Sequence, residues 1–460
     1  MNVLLISCYE LGHQPFGVAS AGAHLLAEGR HRVECLDLAV EVIDEAKIRR
    51  ADFVGISTPM HTALRLGVKA GELVRRLNPQ CHICYFGLYA SLNQDYLLDD
   101  VADSVIGGEF ETPLTQHVDR LAAHQLPRPG GVSLAELRGP PNLSRQQFLP
   151  PARHLLPPLE KYARLRTSDG ELRLVGYVET SRGCAHRCRH CPIPAVYEGR
   201  LRIVQHDVVL ADIDELVRRG AQHIDFGDPD FLNAVKHSLG IVREMRKRHP
   251  ELSFDFTAKI EHLIEHRDAV MELAALGCIF VLSAVESVDD RILGYLDKGH
   301  TRSDVVAALS ITRAANVALR PSLLPFTPWT TLSGYLELLE FVQDHDLIDQ
   351  VDPVHYSIRL LLPRGSWLLD IPEIQPHLGS LVQKDFVYSW QHPDPRVDML
   401  QRQVARVAEE ATNSGEDPAT TFYRIKELTL ATLSDQPAVA RPRYRRRRVR
   451  PPQLTEAWFC

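Results

Sequence analysis

Two blocks of alternating apolar strands and amphipathic helices, separated by a proline-rich stretch, constrain the fold of this 460-residue chain more than any other feature. In the first block, residues 1–126, the strand patterns are continuous apolar runs. Such runs are typical of a parallel sheet that helices cover on both faces. We therefore predict a Rossmann-like, doubly wound α/β sheet with a ligand site where its strands end. Those ends fall at residues 7–9, 57–61, 86–90 and 107–111.

The second block, residues 171–365, repeats a strand and a helix six times. This pattern predicts a partial (βα)6 TIM-like barrel with its site at the carboxyl ends of the strands. The predicted strands are 172–180, 223–231, 252–259, 278–287, 317–326 and 354–363. Between the blocks, residues 127–170 form a linker in which proline is expected to prevent regular elements. After them, 366–435 are predicted to form a helical extension, and 436–460 a flexible arginine-rich tail ending in Cys460.

Charge and hydropathy argue against several functions. The formal net charge is −7, although residues 441–450 alone contain seven arginines, so the rest of the chain is acidic. An acidic body argues against nucleic-acid binding and leaves the tail either solvated or in weak contact with an acidic partner or nucleic acid. No apolar run reaches the ~20 residues of a membrane helix, and the first residues lack the basic segment of a signal peptide. We expect a cytoplasmic protein whose nine cysteines stay reduced.

The most specific motif is a loop of three cysteines, Cys184, Cys188 and Cys191, directly after the first predicted barrel strand. Gly183 allows the chain to turn sharply at the start of this loop. Three thiolates in so compact a loop suit an iron–sulfur cluster and leave one iron open to a small molecule. The alternative is a structural zinc site, which would need His186 or His190 as its fourth ligand within a crowded loop.

The CxxxCxxC spacing after the first strand of a six-fold βα barrel resembles the radical S-adenosylmethionine (radical SAM) superfamily. The resemblance implies a [4Fe–4S] cluster on the three cysteines, S-adenosylmethionine (SAM) on the open iron, and a reductant such as flavodoxin or ferredoxin. One electron from the cluster would split SAM into a carbon radical, while the protein supplies geometry and excludes water.

The same resemblance assigns SAM-binding roles to residues at the ends of the predicted strands. It places His190 near the adenine, the Gly-Asp-Pro-Asp stretch near the amino group, and the Glu-Ser pair of the fourth strand near the ribose. The assigned positions are His190, Gly227, Asp228, Asp230, Glu286 and Ser287. Another interpretation is that Asp-Pro-Asp caps the following helix. Lys259 ends the predicted third strand and Arg359 lies on the sixth, and their role stays open.

A Rossmann-like domain before the barrel resembles the cobalamin-binding class of this superfamily, so cobalamin is a further cofactor to consider. The glycine-acid turn from Gly107 to Glu111 is similar to one in that class, and Ser57 and Thr58 are small enough to admit a flat cofactor. The chain has no D-x-H-x-x-G motif to supply a cobalt ligand. Cys84 is three positions after Cys81 along a strand, so the two thiols are expected on opposite faces, in the core. Cys8, Cys35 and Cys278 lie in apolar strands and are also interpreted as core residues.

The final cysteine after an arginine-rich segment resembles the CUAEP/CCAEP-tail radical SAM (seleno)protein family, whose members continue with selenocysteine or cysteine and then Ala-Glu-Pro. A selenocysteine codon read as a stop would end the chain at Cys460, in which case the gene should encode Ala-Glu-Pro immediately downstream. The resemblance suggests transfer of an alkyl group, such as 3-amino-3-carboxypropyl, to a metalloid (arsenic) or selenium-related substrate.

Three functions follow from these features. The first is radical SAM chemistry with alkyl transfer or hydrogen abstraction on a small molecule. The second is cobalamin-dependent methyl transfer by the same cluster, and the third is a non-catalytic metal or metalloid sensor. The substrate cannot be read from the barrel, because one fold supports many reactions.

Overall fold

A computed structural model describes residues 1–124, 140–434 and 450–455. The first unit is a five-stranded sheet whose strand pairs are all parallel, in the order β2-β1-β3-β4-β5. Its strands are β1 Asn2–Ser7, β2 Arg32–Asp37, β3 Phe53–Ser57, β4 His82–Phe86 and β5 Ser104–Ile106. Its helices are α1 Phe16–Leu26, α2 Glu45–Arg50, α3 His61–Leu77, α4 Leu88–Leu92, α5 Gln94–Asp100 and α6 Glu111–Ala122.

This strand order confirms the predicted doubly wound sheet, in which the chain changes direction between β1 and β3. Apolar side chains fill a separate core on each face of the sheet. Cys81 lies in one of these cores and Cys84 in the other, as the strand alternation predicted. The two thiols therefore pack in the interior and do not form a redox pair.

The second unit is a curled half-barrel sheet in the order β13-β12-β11-β10-β7-β6-β16. The strands that carry its site are β7 Leu172–Val178, β10 His223–Phe226, β11 Ser253–Thr257, β12 Cys278–Glu286 and β13 Ala318–Leu323. A short hairpin, β8 Ser181–Gly183 and β9 Leu201–Ile203, follows the first of them. The helices are α7 Ile193–Tyr197, α8 His206–Arg218, α9 Val235–Arg248, α10 Ile260–Glu265, α11 Arg267–Ala275, α12 Asp290–Leu296, α13 Arg302–Ala314 and α14 Leu332–Asp344.

The sixth predicted strand, 354–363, is wrong. A 3-10 turn occupies Pro353–Tyr356, and the rest of the segment pairs with the chain after β13 through an isolated parallel bridge between Phe326 and Arg359. The Arg359 guanidinium instead pairs with Asp398 and donates a hydrogen bond to the Trp390 carbonyl oxygen at 2.9 Å. Contacts with the C-terminal extension therefore replace the sheet pairing that the apolar pattern predicted.

The linker adds strands to the other edge of this sheet, although proline was expected to prevent regular elements there. β6 Arg164–Arg166 pairs antiparallel with β7, and 3-10 turns span Arg153–Leu155 and Leu159–Lys161. Near the end of the chain, β16 Gln453–Leu454 pairs antiparallel with β6. Because β16 runs parallel to β7, it points toward the end of the barrel where the cysteine loop lies.

The C-terminal extension is less helical than predicted. It contains α15 Pro395–Ser414 and α16 Pro418–Ser434, but also an antiparallel hairpin, β14 Leu378–Val382 and β15 Val387–Trp390. Cys460 and most of the arginine-rich run lie outside the described residues. No helix of the described residues is both long and apolar enough to cross a membrane.

A buried arginine fastens the two units together. The Arg153 guanidinium donates to both carboxylate oxygens of Asp212, at 3.0 and 2.9 Å, and to the Tyr177 carbonyl oxygen at 2.6 Å. It also reaches Gln14 of the first unit at 3.3 Å. A buried charge with this many partners favours one relative placement of the two sheets.

Candidate active site at the strand ends

The cysteine loop begins at a backbone conformation that requires glycine. Gly183 has φ +73°, and a Cβ atom at this position would lie 2.3 Å from the Arg200 carbonyl oxygen. That oxygen belongs to the segment that leads into β9, so the β8–β9 hairpin closes tightly against the start of the loop. The sequence therefore sets the direction in which the three cysteines leave β8.

The three thiols form a buried group that can hold a cluster. Cys184 and Cys188 are buried, and Cys191 is partly buried. Burial, together with the proximity of the other two thiols, raises the pKa of Cys191 to about 12, so a positive metal centre is needed to stabilise the thiolates. The Asn233 side-chain amide donates to the Cys184 sulfur at 3.4 Å.

The spacing of the thiols argues against the zinc alternative. Tetrahedral zinc places its ligand atoms about 4 Å apart. The described residues include groups of ligand atoms that all lie within 4.8 Å of one another, but the three cysteines do not form such a group. Cys8, Cys35, Cys81, Cys84 and Cys278 are buried in the sheets, so among the described cysteines only the loop offers three together.

Asp228 supports the base of the loop. One carboxylate oxygen accepts hydrogen bonds from the Thr180 and Ser181 hydroxyls, and the other accepts the Thr180 backbone N–H at 2.9 Å. Burial raises the pKa of Asp228 to about 6, against the opposing effect of these hydrogen bonds. All of these contacts are to the segment that enters β8, so this carboxylate positions the loop.

Asp230 lies in a cluster of basic side chains. One carboxylate oxygen accepts the Leu232 N–H at 3.0 Å and caps the following turn, as the helix-cap interpretation predicted. The other lies 3.3 Å from His186 Nε2 and 2.9 Å from His262 Nδ1. Lys259 Nζ is 3.2 Å from His186 Nδ1, which brings Lys259 into the same cluster.

Glu286 occupies a strained backbone position beside the loop, with φ +64°. Its carboxylate lies 3.2 Å from His190 Nε2 and 3.4 Å from Lys298 Nζ. Burial alone would raise the pKa of Glu286, but Lys298 and His190 lower it to about 2. The structure therefore brings two predicted residues together and adds Lys298. Ser287 lies next to them, where its hydroxyl accepts the Asp289 N–H at 3.1 Å.

Gly227 packs closely against a neighbouring ring and also lines a cavity. A Cβ atom there would overlap the Tyr177 ring, at 2.0 Å from its nearest atom. Together with Pro229, Gly227 lines a cavity between the barrel and the first unit. The strand ends of the first unit converge on the same cavity, as predicted, through Ser57, Gly87 and Gly108.

The glycine-acid turn of the first unit holds an arginine of the cysteine loop. Glu109 and Glu111 are fully buried, and both contact the Arg182 guanidinium, Glu109 at 3.5 Å. Arg182 also pairs with Glu179 at 2.8 Å, and the Tyr197 hydroxyl donates to Glu109 at 2.9 Å. The turn therefore connects the first unit to the residues just before Cys184.

Several residues of the site were not predicted. His262 and Lys298 lie in helices or loops after strands, where the apolar pattern assigns no role, and Asn233 is three residues beyond Asp230. Position after a strand end was a signal for His262 and Asn233, whereas Lys298 follows α12 and had no such signal. Arg359, whose role was open, stacks on Trp390 at 3.5 Å and serves the C-terminal extension.

A comparison with known protein families identifies the superfamily of the barrel. Residues 178–339 match the radical SAM superfamily, so this part of the chain is a radical SAM domain. Enzymes of that superfamily use a [4Fe–4S] cluster and SAM. The match begins in β7 and includes the cysteine loop, Asp228, Asp230 and Glu286.

Characterised and uncharacterised transferases are similar to parts of the chain. The ribosomal protein uS12 methylthiotransferase RimO of Protochlamydia amoebophila is 23% identical over 186 residues, or 37% of this chain and 38% of that protein. The uncharacterized methyltransferase PH0819 of Pyrococcus horikoshii is 24% identical over 315 residues, or 65% of this chain and 66% of that protein. The chain therefore aligns with less than two thirds of the length of these relatives.

Two solved structures share the fold over most of the chain. The cobalamin-dependent SAM radical enzyme OxsB with bound aqua-cobalamin has a TM-score of 0.70 at 15% identity, covering 94% of this chain and 72% of that one. The radical SAM methyltransferase TsrM of Kitasatospora setae, with cobalamin and a [4Fe–4S] cluster, has a TM-score of 0.57 at 17% identity, covering 75% and 70%. Both units of this chain thus have the architecture of these enzymes.

Proposed function

We propose that this chain is a radical SAM enzyme that transfers a carbon-containing group to a small molecule. Cys184, Cys188 and Cys191 would hold a [4Fe–4S] cluster, and the observation that carries this proposal is the buried group of three thiols at the strand ends. When bound and reduced, the cluster supplies one electron that splits a carbon–sulfur bond of SAM, giving a carbon radical.

The residues around the loop fit this role. Glu286 is held ionised by Lys298 and His190, so it can accept hydrogen bonds from the hydroxyl groups of a ribose. Asp228 accepts hydrogen bonds from the segment that leads into the loop, and Asn233 donates a hydrogen bond to the Cys184 sulfur. Both Asp228 and Asp230 already accept several hydrogen bonds, so the SAM amino group would share these carboxylates with protein donors.

The electron must come from outside the chain, and flavodoxin or ferredoxin is the class of reductant that we propose. A transferase is favoured because the relatives with named activities are methylthiotransferases and methyltransferases. A metalloid or selenium-related substrate stays a prediction, because it rests on Cys460, which lies outside the described residues.

Cobalamin-dependent methyl transfer is the second candidate, since OxsB and TsrM share both units of the fold. The cavity between the two units is about 250 Å³. Ligand pockets for drug-sized molecules occupy ~300–1,000 Å³, and a corrinoid is larger than such ligands. Cobalamin binding by this chain stays a prediction, and we propose no step that uses it.

The test is anaerobic reconstitution with iron and sulfide, followed by addition of SAM and a chemical reductant. We expect a sulfur-to-iron charge-transfer band, a change in the electron paramagnetic resonance spectrum on adding SAM, and formation of 5′-deoxyadenosine or another SAM fragment. Cys184→Ala should lose the cluster, whereas Cys81→Ala, a core cysteine remote from the loop, should keep it. Zinc in place of iron, or a cluster that does not respond to SAM, would rule out this function.

A further inference from the structure

Charged and aromatic side chains line the cavity between the two units. Its walls come from the strand ends of the first unit and from residues next to the cysteine loop and β10. Ser181, Gly183, Gly227 and Pro229 bring it against the cysteine loop and the Gly-Asp-Pro-Asp stretch. A molecule in this cavity would therefore lie beside the proposed SAM site.

Two carboxylates and one guanidinium carry the charge of this cavity, from Glu10, Glu179 and Arg182. Glu10 lines it, and Glu10 Oε2 accepts the Phe16 N–H at 2.9 Å. Glu10 Oε1 is shielded from solvent, and no side chain of the described residues donates a hydrogen bond to it. Burial, with the nearby carboxylates of Glu179 and Asp37, raises the pKa of Glu10 to about 8. A positively charged ligand would relieve the cost of ionising this group.

Aromatic rings form the other walls. Phe16, Phe110, Tyr177 and Tyr197 all line the cavity. The Arg182 guanidinium already lies 5.4 Å from the Phe16 ring and 5.0 Å from the Phe110 ring. These rings thus hold one organic cation in the protein, and aromatic faces attract cations generally. Arg182 is itself paired with Glu109, Glu111 and Glu179, so it is not the counter-charge of Glu10.

A smaller cavity of about 130 Å³ adjoins the first through shared lining residues, His13, Tyr177 and Gly227. Asp225 and Asp255 line it from inside the barrel, facing Arg320. Two further carboxyl groups therefore lie beyond the first cavity, toward the interior of the barrel.

We propose that the cavity between the units is the substrate site and that it binds a small organic cation, a primary amine or a guanidinium compound, through Glu10. This inference rests on the proposed function and names its substrate class. Glu10 would accept the N–H groups of the cation, the aromatic walls would cover its apolar part, and the amine end would be held away from the cysteine loop.

The test uses the full chain with its cluster reconstituted and SAM present, and measures binding by calorimetry. The probes are n-butylammonium, n-butanol and n-butyrate, which share a carbon chain and differ in charge, together with hydroxocobalamin. We expect n-butylammonium to bind at least about tenfold more tightly than the other two, because a hydrogen bond to an ionised group is roughly twice as strong as one between neutral groups. Glu10→Gln should lose this preference, and Glu10→Asp should retain part of it.

Glu340→Gln, which removes an exposed carboxylate outside the cavity, is the matched control and should bind as the unmodified chain does. Equal binding of the three small probes, or stoichiometric binding of hydroxocobalamin, would overturn the proposal. So would an unchanged preference in a folded, iron-loaded Glu10→Gln variant. If the unmodified chain cleaves SAM but shows no preference for the amine, the substrate class is wrong and the radical SAM function stands.

Discussion

Among single residues, Glu286 forms a buried ion pair, and its backbone is strained. Lys298, which is only 3% exposed, has this carboxylate as a partner at 3.4 Å. Glu286→Gln would leave Lys298 buried without its counter-charge, so we expect the free energy of unfolding to fall by about 3 kcal/mol. Chemical denaturation followed by circular dichroism measures this change. The double variant Glu286→Gln, Lys298→Met should recover much of the loss, and no recovery would show that the pair is not the cause.

The same carboxylate gives a prediction for pH. Its pKa in the folded chain is about 2, below the ordinary value of 4.5. Ionised Glu286 therefore stabilises the fold above pH 4.5, and this contribution is lost as the pH falls from 4.5 toward 2. Unfolding measured at several pH values should show a shallower loss over this interval in Glu286→Gln than in the unmodified chain. Identical slopes would contradict the assigned contact.

Asn233 gives a prediction about the cluster itself. Hydrogen bonds to the sulfur ligands stabilise the reduced state of an iron–sulfur cluster and raise its reduction potential. Asn233→Ala removes the donor to Cys184, so we expect a more negative potential and SAM cleavage slower by about 10- to 100-fold, the range typical of residues that support metal ligands. A redox titration followed by electron paramagnetic resonance measures the potential. Asn78→Ala, which removes an amide donor to three carbonyl groups in the first unit, should lower stability and leave the potential unchanged.

The site could be predicted from the sequence where a motif fixes residue spacing. The three cysteines, and the approach of His190 to Glu286, follow from the loop and from the end of β12. The roles of Asp228 and Asp230 could not be divided from sequence, because only the folded chain shows that one holds Thr180 and the other faces two histidines. Lys298 and His262 were missed because they come from segments that no periodic pattern singles out.

At the scale of elements, a glycine can be required for two reasons: a positive φ, and the lack of space for a Cβ atom. The turn into the cysteine loop allows the two effects to be measured separately. Gly183 and Gly170 both have positive φ, +73° and +91°, but a Cβ atom at Gly170 would meet nothing within 4 Å. We expect Gly170→Ala to cost about 1 kcal/mol through backbone strain alone. Gly183→Ala must in addition displace the Arg200 carbonyl, so it should cost more and reduce the iron bound after reconstitution. Equal stability and full iron content in both variants would exclude the tight closure of the hairpin.

The regular elements could be predicted where hydrophobic periodicity is long and local. All five strands of the first sheet and the first five of the barrel were predicted in this way. The segment 354–363 failed because its apolar pattern is satisfied by packing against the C-terminal extension, and Arg359 finds its partners there. β6 and β16 are three and two residues long, and they exist because each completes the pairing of a neighbouring edge, which is a tertiary effect.

At the scale of the whole molecule, Arg182 connects the two units through ion pairs. It is the counter-charge for Glu109 and Glu111 of the first unit and for Glu179 of the barrel. Burial would raise the pKa of Glu111, but Arg182, with hydrogen bonds from Ser20 and Gln146, lowers it to about 2. Arg182→Met leaves three carboxylates without a cation, and we expect a loss of about 3–5 kcal/mol near neutral pH.

The sign of the pH dependence tests whether this arginine is the cause. In the unmodified chain, ionised Glu111 stabilises the fold above pH 4.5, and this contribution disappears as the pH falls toward 2. Without Arg182, burial dominates and the pKa of Glu111 in the folded chain lies above its unfolded value. The protonated group is then the stable one, so Arg182→Met should lose stability as the pH rises from 5 to 8. Denaturation of the full chain at several pH values measures the pH dependence of stability in the unmodified chain and in Arg182→Met. The double variant Arg182→Met, Glu111→Gln should show a weaker pH dependence than Arg182→Met. If Arg182→Met instead gains stability as the pH rises, Arg182 is not the shared counter-charge.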